Sequence, residues 1–313
     1  MIQREFRRSD VSRLVALLGE GFPQEEALLG IRPEQVVAVT KRIYRWDARL
    51  FLGVLRAVGH PVFRFLVTEE DRRLAATTLL SFAPRTGWVS MVVVDPAYRR
   101  RGFARLLLER ARELARRAGK GFVALDVLQD NGPALACYRS LGYVPLRSNT
   151  MVARESPFDP PPPGAAAASV RPFERADARG LVEIVARTIP PKIGEVLPMR
   201  AGSLTSSGLT NRLLLSESAA WVVDRGEGAE AHLAAVAGAS TQAAHLSSPI
   251  LGPGVGHEEA RALVGRALEW IGQRDAPRAV AMVPEENAAG RAALLDAGFR
   301  DALALLTLYR STS

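Results

Sequence analysis

An arginine-rich turn lies between an apolar strand and a long amphipathic helix, and its residue types suit the binding of an anion. The strand side ends at Asp95 and Pro96, and the helix side begins near Phe103. Main-chain N–H groups at a helix N-terminus are unpaired and carry about half a positive charge. Gly102 and Ala104 keep side chains small where an anion would approach the backbone. Four arginines add positive charge around the turn: Arg99, Arg100, Arg101 and Arg105. The turn therefore predicts a diphosphate site.

Hydrophobic periodicity predicts the elements that position this turn. Apolar residues at helical spacing predict a helix over 103–118, with others over 11–18, 33–58 and 132–141. Strands are predicted over 2–6, 61–68, 74–82, 87–94, 121–128 and 143–152. This order predicts a mixed α/β fold, mainly antiparallel, in which helices cover both faces of the sheet.

The second half of the chain repeats the first. Late landmarks recur at a constant offset of 156, including Asn131 with Asn287 and Gly142 with Gly298. Asp10 and Asp177 each precede a helix and are predicted to be its N-cap. Strands predicted over 221–224, 232–241, 243–251, 279–283 and 302–309, with helices over 258–273 and 288–295, complete the repeat. We predict two tandem domains, 1–154 and 170–313, joined by a proline- and alanine-rich linker over 155–169.

Composition limits the classes of function. The net charge is +8, which attracts polyanions, but no groove-reading motif or aromatic stacking run accompanies it, so nucleic-acid binding is not expected. The single cysteine, Cys137, excludes an intrachain disulfide and is expected to be a small buried side chain, and no spacing of Cys and His predicts a metal site. The apolar region 50–67 is interrupted by charges and a proline, and no signal peptide is visible, so a cytoplasmic protein without a membrane span is expected.

The arginine-rich turn resembles the acyl-CoA signature of the GNAT superfamily of N-acetyltransferases. That signature, Q/R-x-x-G-x-G/A, corresponds here to Arg99-x-x-Gly102-x-Ala104. In the family it lies between the fourth strand and the third helix. The resemblance implies that the turn, Phe103 included, binds the pyrophosphate of acetyl-CoA.

A second stretch carries the resemblance further along the chain. The pattern N-x-x-A-x-x-x-Y-x-x-x-G-F/Y begins at Asn131 and is similar to the family's fourth helix. The resemblance implies that Asn131 contacts the pantetheine arm in addition to capping its helix. It also implies that main-chain groups of the preceding strand, Val92, Val93 and Val94, pair with that arm as an added strand would.

Tyr138 is the candidate general acid. Attack of an amine on a thioester releases a thiolate, and a phenol with a pKa of about 10 can return a proton to it. A tyrosine does this in the family, so the resemblance implies the same role here. The structural alternative is a half-buried helix tyrosine that only packs.

Asp126 is the candidate general base. It shares one side of its strand with Phe122, Ala124 and Leu128, an apolar setting that raises a carboxyl pKa. Members similar to the ribosomal-protein alanine acetyltransferases carry a glutamate twelve residues before their tyrosine, the spacing of Asp126 from Tyr138. The alternatives are an aspartate that hydrogen bonds locally and a base formed by a water relay.

The second copy lacks these groups. Leu294 and Met282 occupy the positions of Tyr138 and Asp126, and the turn before its helix has no arginine. We predict no chemistry there; its expected role is to complete the amine pocket or a dimer contact, which leaves a homodimer open. The whole chain is predicted to be an acetyl-CoA-dependent N-acetyltransferase acting on a small-molecule or peptide amine. The alternative is a non-catalytic protein that binds or senses acyl-CoA.

Overall fold

The structure, a computed structural model, describes residues 2–30, 37–38, 63–158, 169–204, 216–238 and 241–313. The strands within these ranges are β1 (Ile2–Glu5), β2 (Phe63–Glu70), β3 (Arg73–Phe82), β4 (Thr86–Val94), β5 (Phe122–Leu128), β6 (Val144–Glu155), β7 (Val170–Pro172), β8 (Ser216–Asp224), β9 (Ala229–Gly238), β10 (Ala244–Leu246), β11 (Ile250–Leu251), β12 (Arg278–Pro284) and β13 (Arg300–Ser311). The helices are α1 (Val11–Gly21), α2 (Pro23–Leu29), α3 (Phe103–Arg117), α4 (Gly132–Ser140), α5 (Ala178–Thr188), α6 (Pro191–Val196), α7 (His257–Gly272) and α8 (Ala288–Asp296).

All these strands belong to one mixed sheet. Their order is β1-β2-β3-β4-β5-β13-β6-β12-β10-β9-β8-β7, and β11 pairs with β9 outside this path. Among the described residues, the pairs β4–β5 and β10–β12 are parallel and the other pairs are antiparallel. The mixed, mainly antiparallel α/β fold predicted from the sequence is confirmed.

The two copies exchange their last strands at the centre of the sheet. β13, which ends the second copy, lies between β5 and β6 of the first, and β6 in turn pairs with β12 of the second. Arg310 of β13 packs beside Gly142, and Arg154 of β6 packs beside Gly298, at the same offset of 156. The exchange is therefore reciprocal, as in a two-fold symmetric pair.

Each hydrophobic core contains a residue from the other copy's strand. Leu308 of β13 is buried with the residues of α3, whereas Val152 of β6 is buried with those of α7. Full burial of such a side chain stabilises a fold by about 1.5–3 kcal/mol. Neither core is complete without the other half of the chain. The proposed domain limits, 1–154 and 170–313, remain a prediction, and most of the linker over 155–169 lies outside the described residues.

The starts of the two copies are held by the same ion pair. The Arg4 guanidinium donates to both oxygens of Asp10 at 2.7 and 2.9 Å, and Arg171 does the same to Asp177 at 2.9 and 2.7 Å. The Asp10 carboxylate also accepts from the main-chain N–H of Arg7. Both aspartates occupy the N-cap positions of α1 and α5, as predicted, but each side chain closes a short 3-10 turn and accepts no bond from the helix that follows.

Most predicted elements agree with the structure to within a few residues, and the differences have local causes. The predicted strand over 243–251 is two short strands, β10 and β11, separated by residues 247–249. The turn between β2 and β3 is tighter than predicted, because Asp71 and Arg72 both adopt positive φ and close a two-residue hairpin. The predicted helix over 33–58 lies outside the described residues except for 37–38, which are helical.

Candidate active site

A cleft opens between β4 and β5. These strands pair only from Thr86 to Trp88 against Phe122 to Ala124, at the end nearer the start of each strand. The remainder of β4 stays paired with β3 but not with β5, so the sheet is split towards the carboxyl ends of the two strands. Helix α3 follows β4 and begins at this split, so the cleft runs towards its N-terminus.

A β-bulge directs the main chain of β4 towards the cleft. Met91 has a φ of 54°, and the register against β3 shifts between Thr77 and Leu79. Past the bulge, Asp95 N–H donates to the Ala75 carbonyl of β3. Main-chain groups alternate in direction along a strand, so those of Val92 and Val94 face the open side. Those of Val93 face β3, where it pairs with Thr77, and its side chain is buried.

Within the described part of the chain, no group at the start of α3 would compete with an anion. Gly102 is its N-cap with a φ of 85°, and apart from its chain neighbours no described residue has an atom within 4 Å of the position a Cβ would take. The first turn contains no acidic residue, and Phe103 is buried beneath it. The main-chain N–H groups of the first turn are therefore available, as the diphosphate prediction requires. Ala104 is half-buried.

The arginines of the turn differ in what they contact. Arg99 Nε donates to the Val94 carbonyl at 3.3 Å, and Arg105 donates to Ser140 Oγ at 3.4 Å. Arg101 pairs with Glu70 at 3.1 Å and lies over the rings of Tyr98 and Phe103, so it braces the turn. Arg100 is exposed, has a φ of 60°, and forms no ion pair with the described residues.

Tyr138 packs into the first copy's core. Its side chain is 7% exposed, and its ring centroid lies 5.9 Å from that of Tyr143. No hydrogen-bond partner of its hydroxyl is found in the part of the chain that the structure describes. Burial raises the pKa of the Tyr138 phenol, so that it is protonated well beyond neutral pH.

Asp126 lies on the sheet face opposite to the helix α3 core. Val123, Leu125 and Val127 join that core, and alternation places Asp126 on the other face with Phe122, as predicted. Its Oδ1 accepts a hydrogen bond of 2.6 Å from Thr307 of β13. Burial raises the pKa of the Asp126 carboxyl, although the Thr307 hydrogen bond and the charge of Arg147 oppose this. The local hydrogen bond and the elevated pKa expected from the sequence thus occur together.

Two further predicted residues have ordinary local roles. Asn131 caps α4 by accepting from Ala134 N–H at 3.1 Å, which confirms the capping prediction; its contact with pantetheine stays a prediction. Cys137 is half-buried, and burial raises the pKa of its thiol, which does not favour a nucleophile.

The corresponding split in the second copy, where β11 pairs with β9 and not with β12, is bridged by a side chain. The Asn287 amide donates to Ser248 Oγ at 2.8 Å and to the Pro249 carbonyl at 2.6 Å, which joins the start of α8 to the segment between β10 and β11. Glu259 accepts from Gly256 N–H at 2.9 Å and pairs with Arg225, so a carboxylate already occupies the N-terminus of α7.

Sequence reasoning missed two polar residues near Asp126. Thr307 is fully buried. Asn149 of β6 is 2% exposed, and its Nδ2 donates to Thr307 Oγ1 at 2.7 Å. The signal was available in the repeat: at the offset of 156, Thr307 corresponds to Met151 and Asn149 to Leu305. Where one copy has a polar residue and the other has an apolar residue at the equivalent position, packing of the sheet does not require the polar group, so a functional role is indicated.

Neither a membrane-spanning helix nor a metal-binding cluster occurs among the described residues. No helix there is long and apolar enough to cross a membrane. No cluster of three or more His, Cys, Asp or Glu side chains there has the arrangement of a metal site.

Comparison with known proteins finds one family that matches part of the chain. Residues 33–143 match the model of the acetyltransferase (GNAT) family. The chain is 51% identical over 55 residues to N-alpha-acetyltransferase RimI of Mycobacterium tuberculosis, covering 18% of this chain and 33% of the relative. It is 29% identical over 100 residues to the [ribosomal protein bS18]-alanine N-acetyltransferase of Salmonella typhimurium, covering 32% and 65%. The matched segments thus span less than two thirds of these relatives.

Solved structures match the fold over the whole chain. A tandem GNAT protein from the clavulanic acid biosynthesis pathway is 16% identical, with a TM-score of 0.63 and coverage of 100% of this chain and 98% of that one. A GCN5-related N-acetyltransferase from Sphaerobacter thermophilus is 19% identical, with a TM-score of 0.65 and coverage of 99% and 95%. Residues 33–143 therefore match the acetyltransferase (GNAT) family, and the fold of the whole chain resembles that of a tandem GNAT protein.

Proposed function

We propose that the first copy transfers the acetyl group of acetyl-CoA to a primary amine, by direct attack while both substrates are bound. The observation that carries this proposal is the cleft between β4 and β5, with the N-terminus of α3 at one end. Its residues fit the co-substrate, because Gly102 leaves space and the first turn of α3 carries no acidic side chain. Holding the amine and thioester together supplies about 7–11 kcal/mol of the lowered barrier.

The binding of acetyl-CoA divides between two parts of the cleft. Main-chain N–H groups of Phe103, Ala104 and Arg105 would hold the diphosphate, and the Arg99 and Arg100 guanidiniums would add charge. Main-chain groups of β4 that face the cleft would pair with the pantetheine arm, as a strand pairs with an open edge.

Proton transfer is assigned to Tyr138, which is buried, and Asp126, which is half-buried. The amine nitrogen forms a bond to the thioester carbonyl carbon, and the carbon–sulfur bond breaks. The Tyr138 phenol gives its proton to the departing sulfur, and Asp126 takes the proton lost by the amine, directly or through a water molecule. Because burial raises both pKa values, the phenol starts protonated and the carboxylate is a stronger base than a solvated aspartate. Such groups contribute roughly a hundred- to ten-thousand-fold in rate.

The second copy is proposed to carry no chemistry. Leu294 replaces the phenol, and the Asn287 amide spans the place where the first copy is open. The Glu259 carboxylate at the start of α7 would repel a diphosphate. These three features concern different parts of an acetyltransferase site, and each of them disfavours acetyl transfer in the second copy.

The test is acetyl transfer by the full-length protein. Acetyl-CoA is incubated with alkylamines, amino sugars and peptides with an N-terminal alanine, and both free CoA thiol and acetylated amine are measured. We expect CoA thiol to be released only when an acceptor amine is present, in an amount equal to the amount of acetylated amine. Binding of acetyl-CoA without transfer to any amine in the set would favour the non-catalytic acyl-CoA-binding alternative instead.

A further inference from the structure

A row of polar side chains crosses the centre of the sheet where the copies exchange strands. Asp126 of β5 lies opposite Thr307 of β13, which lies opposite Arg147 of β6. Asn149, two residues further along β6, joins the row through its amide. The row combines residues of both copies, because β13 belongs to the second and the other two strands to the first.

The hydrogen bonds in this row have one direction. Asn149 Nδ2 donates to Thr307 Oγ1 at 2.7 Å, and the Thr307 hydroxyl donates to Asp126 Oδ1 at 2.6 Å. A hydroxyl has one proton, so once Thr307 accepts from the amide its own proton is directed at the carboxylate. Asp126 Oδ2 forms no hydrogen bond with any residue that the structure describes, which leaves that oxygen available to a substrate or water.

The second copy builds the same row from apolar residues. At the offset of 156, its members are Met282, Met151, Leu303 and Leu305, and the first three pair in the same register. The sheet therefore does not need polar groups here to pack. Burying them costs free energy unless they are hydrogen bonded, and Asn149 Oδ1 and Arg147 Nε have no partner within the described ranges. Of these two equivalent rows, the one beside the cleft is the polar one.

We infer that Thr307, on the strand donated by the second copy, is a positioning residue that orients the Asp126 carboxylate of the first copy's site. This inference rests on the proposed function and gives the second copy a part in it. The donated hydroxyl fixes one carboxylate oxygen and stabilises its charge, so that the other oxygen meets the amine proton. The reacting half of the chain is incomplete without the half that does not react.

The charges near Asp126 are few. Arg147 of β6 is the charged group that acts on Asp126 among the described residues, and it pairs with Glu286 at 3.2 Å. β13 contributes the Thr307 hydroxyl and no charge to this row. Replacing Thr307 with valine keeps its shape and leaves Arg147 in place, so it removes the two hydrogen bonds of the hydroxyl, to Asp126 and from Asn149, and no charge.

The experiment compares pH profiles of kcat/KM for full-length variants. Two acceptor amines of different pKa are used, so that the acidic limb due to the enzyme is distinguished from that due to the amine. Loss of a hydrogen bond to a charged carboxylate raises its pKa, so Thr307→Val should move the enzyme's acidic limb up by about one to two pH units. The KM for acetyl-CoA should stay unchanged. Thr307→Ser should retain the wild-type profile, and Met151→Leu, the equivalent position in the other row, serves as the control.

Two outcomes would overturn the inference while leaving the proposed function intact. One is an active Thr307→Val enzyme with the wild-type acidic limb; the other is a Ser variant shifted as far as the Val variant. Should the Val variant not fold, Asn149→Leu is measured in its place. Loss of the Asn149 amide should shift the acidic limb of the pH profile in the same direction by a smaller amount, and an unmoved limb would refute the inference. A wild-type protein that acetylates no amine would instead refute the proposed function.

Discussion

Tyr138→Phe separates catalysis from packing, because it deletes one oxygen atom from a well-packed ring. The ring lies 5.9 Å from that of Tyr143 and is buried with α3, and these contacts remain in phenylalanine. The hydroxyl has no hydrogen-bond partner among the described residues, so no hydrogen bond is lost. We therefore expect the free energy of unfolding to change by less than about 1 kcal/mol.

The expected effect on the reaction is much larger. Loss of a general acid lowers the rate roughly a hundred- to ten-thousand-fold. At about 1.36 kcal/mol for each factor of ten, the barrier rises by about 2.7–5.4 kcal/mol. The fall should appear in kcat and kcat/KM together, because the phenol stabilises the sulfur as it departs in the transition state and adds nothing to the binding of the substrates.

Tyr143→Phe is the matched control. The Tyr143 hydroxyl is buried and has no hydrogen-bond partner among the described residues, and burial raises the pKa of this phenol as well. Its removal should leave the rate unchanged and stabilise the protein by up to about 1 kcal/mol, since an unpaired buried hydroxyl is unfavourable. Steady-state rates and thermal unfolding are measured for both variants.

The pH profile of the wild-type rate is a second test of the Tyr138 phenol as the general acid. A general acid works while it is protonated, so activity falls as the pH rises through its pKa, which burial moves above the usual tyrosine value of about 10. Loss of activity to the same degree in both variants, or a Tyr138→Phe rate within about twofold of wild type, would refute the assignment and leave Tyr138 with a packing role.

Two further predictions concern the diphosphate turn and the ion pair at the start of the chain. Gly102→Ala and Gly119→Ala place a side chain at φ values of 85° and 70° at opposite ends of α3, so each should cost about 1–2 kcal/mol of stability. Only the first should weaken acetyl-CoA binding in a titration, and equal weakening would contradict the site. Burial alone would raise the pKa of Asp10, but hydrogen bonds from Arg4 and Arg7 outweigh it and lower the pKa. Asp10→Asn should therefore cost about 1–3 kcal/mol at pH 7, and the difference from wild type should disappear as the pH falls through the lowered pKa, below about 4. A difference that persists at low pH in denaturant unfolding would be inconsistent with this pair.

The sequence predicts the parts of the site that depend on local pattern. The apolar strand, the proline and the amphipathic helix follow one another in the chain, so their spacing alone predicts the turn at Gly102. The bulge at Met91 has no such signal, because a positive φ at a non-glycine residue depends on the strands beside it. The N-cap position of Asp10 follows from the pattern, but its bond to Arg4 does not, because Arg4 is on the preceding strand, outside the helix that the pattern describes.

The strand exchange could not be read from the sequence. β6 and β13 have similar alternation and occupy equivalent places in the repeat, so each strand pattern fits a site in either copy. The pairing that forms depends on contacts between residues far apart in the sequence, such as Arg310 and Gly142. Thr307 was missed because its partner Asp126 is brought close only by that exchange.

The exchanged strands also constrain how the protein is made. As the chain leaves the ribosome, β5 has an unpaired edge until β13 has been synthesised, and unpaired edges promote association between chains. Closure of the first half then depends on contacts of high sequence separation, which form slowly. Shortening the gene from its 3′ end would thus expose the middle of the sheet rather than remove a separable appendage, and newly made chains at high concentration have a direct route to swapped assemblies.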